Sequence, residues 1–154
     1  KNTGRPLKEG KWFEKFRSNY LDVDNDALYP FGYGLSYTTF RFSDITLNRS
    51  SIGMDNELVA SVTVTNTGDR AGSEVVQLYI RDLVGSVTRP VKELKGFEKI
   101  YLQPNESRTV RFTIAPEMLK FYNADLKFVA EPGDFDVMIG PDSRNVKTAR
   151  FTLR

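Results

Sequence analysis

Apolar and polar residues alternate along most of the chain beyond about residue 36. This is the period of a β-strand that has one buried and one solvated face. The alternation is clearest in residues 58–65 and 76–81, and it recurs in residues 110–114, 135–139 and 149–153. The pattern therefore predicts at least five strands, each of which contributes one face to a core.

The first strand region after residue 36 has an irregular pattern. Phe40 and Phe42 share one parity, whereas Ile45 and Leu47 share the other. A change of parity within a strand is typical of one extra residue, so we expect a bulge or a sheet-switching bend near Asp44.

A further strand and a short helical turn complete the predicted elements. Residues 91–102 suggest a strand that is broken at Gly96, and residues 116–120 permit one helical turn with Pro at its first position. Turn residues separate the strands at short intervals. Seven or so short strands with almost no helix predict an all-β fold, a β-sandwich of the fibronectin type III or immunoglobulin class, over residues 36–154.

Residues 1–35, which we call the N-terminal arm, do not follow this pattern. Glycine and proline recur too often for a strand or helix period to survive, so we expect an irregular segment with one helical turn around residues 12–16. The arm and the residue just beyond it are rich in aromatic side chains, which are Trp12, Phe13, Phe16, Tyr20, Tyr29, Phe31, Tyr33 and Tyr37. So much aromatic surface needs something to pack on.

Composition narrows the possible chemistry. The 154 residues include 22 basic and 20 acidic residues, a net charge of +2, and the basic residues are scattered, which disfavours nucleic-acid binding. No apolar run is long enough to cross a bilayer, so no membrane partner is expected.

The chain contains no histidine and no cysteine, which excludes a histidine base, a thiol nucleophile and a disulfide framework. It begins without an initiator Met or an apolar leader, and we expect it to be a piece of something longer.

Two motifs imitate ligand-binding loops. Residues 22–26 begin like a calcium loop, but Ala27 and Tyr33 stand where that loop needs glycine and glutamate. Gly32 and Gly34 begin like a dinucleotide fingerprint that lacks its third glycine and its preceding strand. We therefore expect a solvated acidic loop and a tight turn, and no metal or cofactor site is predicted.

Paired carboxylates are the remaining candidates for catalysis. Asp134 with Asp136, or Glu131 with Asp134, could in principle form the acid and nucleophile of a glycosidase. Asp134 and Asp136 lie on the strand face opposite Phe135, where carboxylates are normally solvated. Nothing in the sequence predicts a raised pKa for them, so no catalytic residue is predicted.

Several long motifs resemble one known family. Residues 28–40, which read LYPFGYGLSYTTF, closely resemble the C-terminal part of family 3 glycoside hydrolases, in particular bacterial periplasmic β-glucosidases. Further similar segments are VTNTG at 64–68, GSEVVQLY at 72–79, RPVKELKGFEK at 89–99 and EPG at 131–133. With the opening residues 2–6, the resemblance spans essentially the whole chain.

The resemblance implies a non-catalytic role for this segment. In that family a (β/α)8 barrel supplies an aspartate nucleophile, and an α/β sandwich supplies the glutamate acid/base of a retaining mechanism. A fibronectin type III-like domain follows them. Neither catalytic motif has a counterpart in this chain. Residues 1–35 would be the end of the α/β sandwich or a linker, and residues 36–154 would be the fibronectin type III-like domain.

The resemblance also implies partners and a location. The catalytic domains of the same enzyme would be the partner, and a β-glucoside would be bound only through that parent, which is expected to be periplasmic or secreted; a homodimer of the parent is left open. Tyr29, Phe31, Tyr33 and Tyr37 are the predicted contact residues, with Arg89 as a polar contact from an exposed loop. Internal packing of the same aromatic side chains is the alternative interpretation.

Two other functions fit the residues. A carbohydrate-binding module would stack sugars on Trp12, Tyr79, Tyr101 or Tyr122, and it requires a planar row of exposed aromatic side chains on one sheet. An adhesion or protein-interaction sandwich would instead expose a hydrophobic strand edge or patch.

Overall fold

Two facing β-sheets and a small ribbon form the fold of residues 26–154, the part of the chain that the computed structural model describes. The strands are β1 Phe40–Phe42, β2 Thr46–Leu47, β3 Ser51–Ile52, β4 Leu58–Asn66, β5 Gly72–Asp82, β6 Glu93–Leu102, β7 Ser107–Ile114, β8 Phe121–Tyr122, β9 Phe128–Val129, β10 Gly133–Gly140 and β11 Lys147–Leu153. The predicted all-β sandwich is confirmed. Residues 1–25, which include the predicted helical turn around residues 12–16, lie outside the described residues, so the division at residue 35 stays a prediction.

The smaller sheet is built around β4. Strands β1 and β2 pair with one side of β4, and β7 pairs with the other, all antiparallel. Phe42 lies opposite Val64 and Thr46 lies opposite Ser61, so the incoming chain uses one residue more than β4 does. This extra residue is the bulge predicted near Asp44, and it lets Phe42 and Leu47 both pack against the core.

The larger sheet has the strand order β3, β11, β10, β5 and β6. Its pairs are antiparallel except for β3 and β11, in which Ser51 lies opposite Thr152 and Ile52 opposite Leu153 in parallel register. The chain therefore moves from the smaller sheet to the larger one between β2 and β3.

Strand β6 corrects one prediction. It pairs with β5 without a break through Gly96, which lies opposite Leu78. Tyr79 then lies opposite Leu94, so Lys95 is an extra residue that forms a bulge. The irregularity predicted as a break is a shift in register within one continuous strand.

The core lies between the two sheets and consists of the inward residues that the alternation predicted in β4, β5, β7, β10 and β11. Phe135 and Phe151 lie opposite each other on β10 and β11, with their rings stacked at a centroid distance of 5.4 Å. Phe112 and Ala149 are only half-buried.

The predicted helical turn is a single 3-10 turn, Pro116–Leu119, which buries Leu119. Within residues 26–154 there is no helix long and apolar enough to span a membrane.

Candidate functional site

The described part of the N-terminal arm lies on the outer face of the larger sheet. The Phe31 ring meets the Tyr79 ring edge-on at a centroid distance of 6.5 Å. Tyr79 points away from the core, on the face opposite to that of Leu78 and Ile80, yet only 2% of it is exposed. The interpretation of Tyr79 as a sugar-stacking side chain is therefore wrong, because the arm covers that part of the strand.

Hydrogen bonds attach the backbone of the arm to the sheet. Gln77 Nε2 donates to Gly32 O at 3.0 Å, and Ser143 N donates to Phe31 O at 2.9 Å. The Tyr79 hydroxyl donates to Gln77 Oε1 at 2.5 Å. The buried amide of Gln77 thus has partners on both its nitrogen and its oxygen, which is what burial of a polar side chain requires.

A tight turn brings Gly32 close to the sheet. Tyr33 N donates to Pro30 O at 3.1 Å, and Gly32 has φ of +80° at the third position of the turn, as a type II turn needs. A Cβ at Gly32 would lie 2.0 Å from Gln77 Oε1. The tight turn predicted at Gly32 is confirmed, and both the positive φ and the close contact with Gln77 require glycine there.

The four aromatic side chains predicted as contact residues are exposed at the surface. Tyr29, Phe31, Tyr33 and Tyr37 are all exposed, and the rings of Tyr29 and Tyr33 lie 5.2 Å apart. Phe31 is exposed on one side while its other side covers Tyr79. Their predicted contact with another domain stays a prediction.

Asp142 organises the loop that holds the arm. Its buried carboxylate accepts hydrogen bonds from Arg144 N at 2.7 Å and from Asn145 N and Nδ2 at 2.8 Å. Burial opposes ionisation of Asp142, but the hydrogen bonds from Asn145 and Arg144 outweigh it and hold the pKa below its usual value. Arg144 Nη2 also donates to Ala27 O at 2.5 Å, which ties the arm to the same loop.

Lys92 binds the same loop that carries Asp142. Its ammonium donates a hydrogen bond to Ser143 O. Burial lowers the pKa of Lys92, the neighbouring Asp142 carboxylate opposes that shift, and Arg81 adds to it. Burial, with the same Asp142 charge, raises the pKa of the Tyr79 hydroxyl.

Arg89 lies in the loop between β5 and β6, but its side chain is largely covered. Only 18% of its side chain is exposed, because the guanidinium pairs with Glu93 and lies over the Phe121 ring at 4.3 Å from the centroid. Phe121 of the β8–β9 ribbon lies against the guanidinium, whereas the neighbouring loop residues Thr88 and Pro90 are exposed. An interdomain role for Arg89 stays a prediction.

The loop between β5 and β6 is held in place by acidic side chains. Glu131 accepts hydrogen bonds from Ser86 Oγ at 2.6 Å and Ser86 N at 2.9 Å, which lower the pKa of Glu131. Burial raises the pKa of Asp82, and a hydrogen bond from Val84 N and the charge of Arg89 oppose it by less. A glycosidase acid needs a raised pKa, so Glu131 is shifted in the wrong direction for that role.

The other candidate carboxylates form ordinary cross-strand pairs. Asp136 accepts a hydrogen bond from Arg150 Nε at 2.9 Å, and Asp134 accepts one from Thr152 Oγ1 at 2.7 Å. Residues 26–154 contain no group of three or more side chains suited to hold a metal ion. Of the calcium-loop residues, 22–25 lie outside the described part, and Asp26 lies 4.0 Å from Arg144.

Sequence reasoning missed an exposed row on β6. Leu94, Phe97, Lys99 and Tyr101, which we call the β6 stripe, lie on the outer face, and Leu94 and Phe97 lie opposite Tyr79 and Gln77. The alternation in the sequence could have predicted this row, because residues 97, 99 and 101 lie on the strand face opposite to that of the buried Ile100.

The remaining aromatic candidates for sugar binding do not form one row. Tyr101 lies on the larger sheet, whereas Tyr122 lies on the β8–β9 ribbon, where its ring is 5.0 Å from that of Phe128. Trp12 lies outside the described residues.

These features define a fibronectin type III-like sandwich with a docked arm. Residues 74–143 match the family described as fibronectin type III-like domain. This range runs from β5 to the loop after β10 and so includes Gln77, Tyr79 and Asp142, which hold the arm.

Over nearly its whole length the chain is similar to a segment of β-glucosidases. It is 54% identical to the periplasmic β-glucosidase of Salmonella typhimurium, over 99% of this chain and 20% of that protein. It is 45% identical to thermostable β-glucosidase B of Acetivibrio thermocellus, over 82% of this chain and 17% of that protein. A crystal structure of the Listeria innocua β-glucosidase with glucose matches with a TM-score of 0.89 and 41% identity, over 98% of this chain and 21% of that one.

The chain spans about a fifth of the length of the curated relatives it matches. The relatives also include a putative β-xylosidase of Formosa agariphila, which is 50% identical over 90% of this chain and 18% of that protein. The resemblance to the C-terminal part of family 3 glycoside hydrolases is thereby confirmed.

Proposed function

We propose that the chain is the non-catalytic, fibronectin type III-like module of a β-glucosidase, and that it packs on the catalytic domains of the same enzyme and stabilises them. One observation carries this proposal. The N-terminal arm is fixed to the sandwich through Gln77 and Ser143, yet it holds Tyr29, Phe31 and Tyr33 at the surface. An arm that only served internal packing would turn these rings inward.

The energetics of such an arm favour a contact with another domain. Each large aromatic side chain can bury about 150–250 Å² on docking. Because hydrogen bonds and the turn at Gly32 already order the arm, docking loses little conformational entropy. A rigid, exposed aromatic cluster is the kind of surface that forms the centre of an interface.

Both catalytic carboxyl groups of the parent would lie outside this chain. A retaining β-glucosidase needs two carboxyl groups about 5–5.5 Å apart, one of which has a raised pKa. Asp134, Asp136 and Glu131 are engaged with Thr152, Arg150 and Ser86 instead. The relatives' names support hydrolysis of β-glucosides by the parent, and the Salmonella protein supports a periplasmic or secreted location.

The test compares two sets of variants in the full-length parent enzyme. We expect Tyr29→Ser with Tyr33→Ser to lower the melting temperature and to shorten the lifetime of activity on heating, with little change in kcat at low temperature. Tyr122→Ser is the control, since Tyr122 lies on the β8–β9 ribbon and is as exposed as Tyr29. If the arm variant melts like the control, the stabilising role is excluded.

Two measurements on this chain alone address the other functions. We expect no hydrolysis of a chromogenic β-glucoside, and turnover would contradict a non-catalytic module. A saturable response to cello-oligosaccharides would favour a carbohydrate-binding module.

A further inference from the structure

The loop that leads from the docked turn of the arm toward β1 exposes its apolar side chains. In this loop, residues 33–37, Leu35 is 90% exposed and Tyr37 is 93% exposed, more than any other large apolar side chain of residues 26–154. We propose that Leu35 and Tyr37 insert together into an apolar pocket on the catalytic domains of the same enzyme. This inference rests on the proposed function, and it adds Leu35 to the contact and assigns the pocket to these two residues.

Polar and apolar side chains alternate in this loop in the reverse of the usual order. Ser36 Oγ and Thr38 Cγ2 lie 3.2 and 2.6 Å from the Cβ position of Gly72, so these two side chains face the sandwich. Leu35 and Tyr37 face the opposite way, as alternation along an extended segment requires. A segment that remained in water would turn its apolar side chains inward, so the reversed order indicates a second protein surface on the outer side.

Both ends of the loop are fixed to the sandwich. Before the loop, Gly32 O accepts the hydrogen bond from Gln77 Nε2 at 3.0 Å. After it, the Thr38 hydroxyl donates to Asn66 Oδ1 at 2.7 Å. Between these points nothing lies within 4 Å of the Cβ position of Gly34, so the loop has open space on that side. A loop that is held at both ends loses little conformational entropy when it docks.

The anchor beyond the loop is buried and fully bonded. Asn66 is 0% exposed, and its Nδ2 donates to Arg70 O at 2.7 Å and to Leu102 O at 3.1 Å. The amide is therefore fixed through its nitrogen while its oxygen holds Thr38. Gly68 makes room for this contact, because a Cβ there would lie 2.3 Å from Thr38 Oγ1. The direction in which the neighbouring Tyr37 leaves the sandwich is thus set by buried groups.

The absence of charge around the loop defines the chemistry of the partner surface. Residues 27–40 contain no Asp, Glu, Lys or Arg, although these four types make up 27% of the chain. Depletion of charge is typical of the centre of an interface. The partner surface is therefore apolar where it receives Leu35, with a polar group at its rim for the hydroxyl of Tyr37.

Covalent geometry identifies the occupant. Leu35 follows Tyr33 by two residues, so the two Cα atoms lie within about 7 Å of each other. Tyr33 and Tyr29, whose rings lie 5.2 Å apart, belong to the surface that is proposed to pack on the catalytic domains. A domain that buries these two rings therefore also reaches Leu35.

Hydroxyl-radical labelling of the full-length parent, read by mass spectrometry, tests the contact. Leu126 and Tyr122 are controls of the same residue types, 82% and 66% exposed in the β8–β9 ribbon. By their exposure in this chain, Leu35 and Tyr37 would be labelled faster than these controls. In the full-length parent we expect the opposite order, with Leu35 and Tyr37 labelled several-fold more slowly, each rate taken relative to the unfolded protein. Labelling of Leu35 and Tyr37 as fast as the controls would overturn the inference.

The arm tyrosines and a dilution series separate the possible outcomes. If Tyr29 and Tyr33 are protected while Leu35 and Tyr37 are not, the inference fails and the proposed function stands. If all four are labelled freely, both fail. Protection of Leu35 and Tyr37 that is lost on dilution of the parent would mean that a second copy covers them, and it would also overturn the inference.

Paired substitutions test the contribution to stability in the same full-length protein. Leu35→Ser with Tyr37→Ser is expected to lower the melting temperature, and the loss should persist at high salt because no charge takes part in the contact. Leu126→Ser with Tyr122→Ser is the matched control. Equal melting temperatures for the two double variants would overturn the assignment of the pocket.

Discussion

Single residues decide how the N-terminal arm meets the sandwich. Gln77 is the central residue, because its side-chain amide accepts a hydrogen bond from the Tyr79 hydroxyl and donates one to the backbone carbonyl of Gly32 in the arm. Gly32 is the matching residue on the arm, since a positive φ and the absence of a Cβ are both needed there. The docking of an irregular segment thus depends on a few polar contacts and on one turn.

Gly32→Ala is expected to loosen the arm while the sandwich stays folded. The positive φ costs about 1–2 kcal/mol for a residue with a Cβ, and the clash with Gln77 Oε1 adds to it. Amide exchange at Ser143, whose N–H donates to Phe31 O, should accelerate by about tenfold or more. Gly34→Ala is the control, because nothing lies within 4 Å of its Cβ position. Equal exchange in the two variants would contradict this account.

Strands show how far alternation predicts structure. The inward faces of β4 and β10 follow directly from their sequences, because each strand keeps one parity along its length. Strand β6 changes parity at a bulge, and the position of that bulge depends on pairing with β5. Parity within a strand is a local property, whereas register belongs to the pair.

The stacked pair on β10 and β11 is expected to dominate the stability of the larger sheet. Phe135→Ala removes a buried ring that stacks on Phe151, and we expect it to lower the free energy of unfolding by about 3–5 kcal/mol. Phe128→Ala removes the same atoms from the exposed ribbon and should cost far less. Urea denaturation of both variants measures the difference, and similar losses would show that the stack is not central to the core.

For the whole molecule, the sandwich could be predicted and the docking of the arm could not. Core faces follow from alternation in the sequence, and the aromatic excess of the arm indicated that it needs a partner surface. That surface includes Tyr79, which lies 48 residues from Phe31 and has the parity of an exposed residue. No local pattern links two segments that far apart, so the burial of Tyr79 and the partial burial of Arg89 required the tertiary structure.

The pH dependence of stability should reflect Glu74. This residue shares the inward parity of Val76; burial raises its pKa, the hydrogen bond from Val75 N opposes that rise, and Asp142 adds to it. The folded state therefore holds the proton more tightly than the unfolded state, so ionisation of Glu74 reduces stability as the pH rises above the usual value of 4.5.

Glu74→Gln is accordingly expected to raise the free energy of unfolding at pH 7, by under about 1 kcal/mol because water still reaches the carboxyl group. The gain should disappear well below pH 4.5, where the group is protonated in both states. Denaturation across pH measures it, with Glu98→Gln on the exposed part of β6 as the control. If Glu74→Gln raised the free energy of unfolding equally at all pH values, ionisation of Glu74 would not be the cause.

The parallel pairing of β3 with β11 has a mechanical consequence. Thr152 N donates to Ser50 O and Arg154 N donates to Ile52 O, so an early segment and the last strand run side by side in the same direction. Tension between the two ends of the described chain would load these bonds in shear, all at once, instead of opening them one by one. The larger sheet therefore resists extension at the β3–β11 pair.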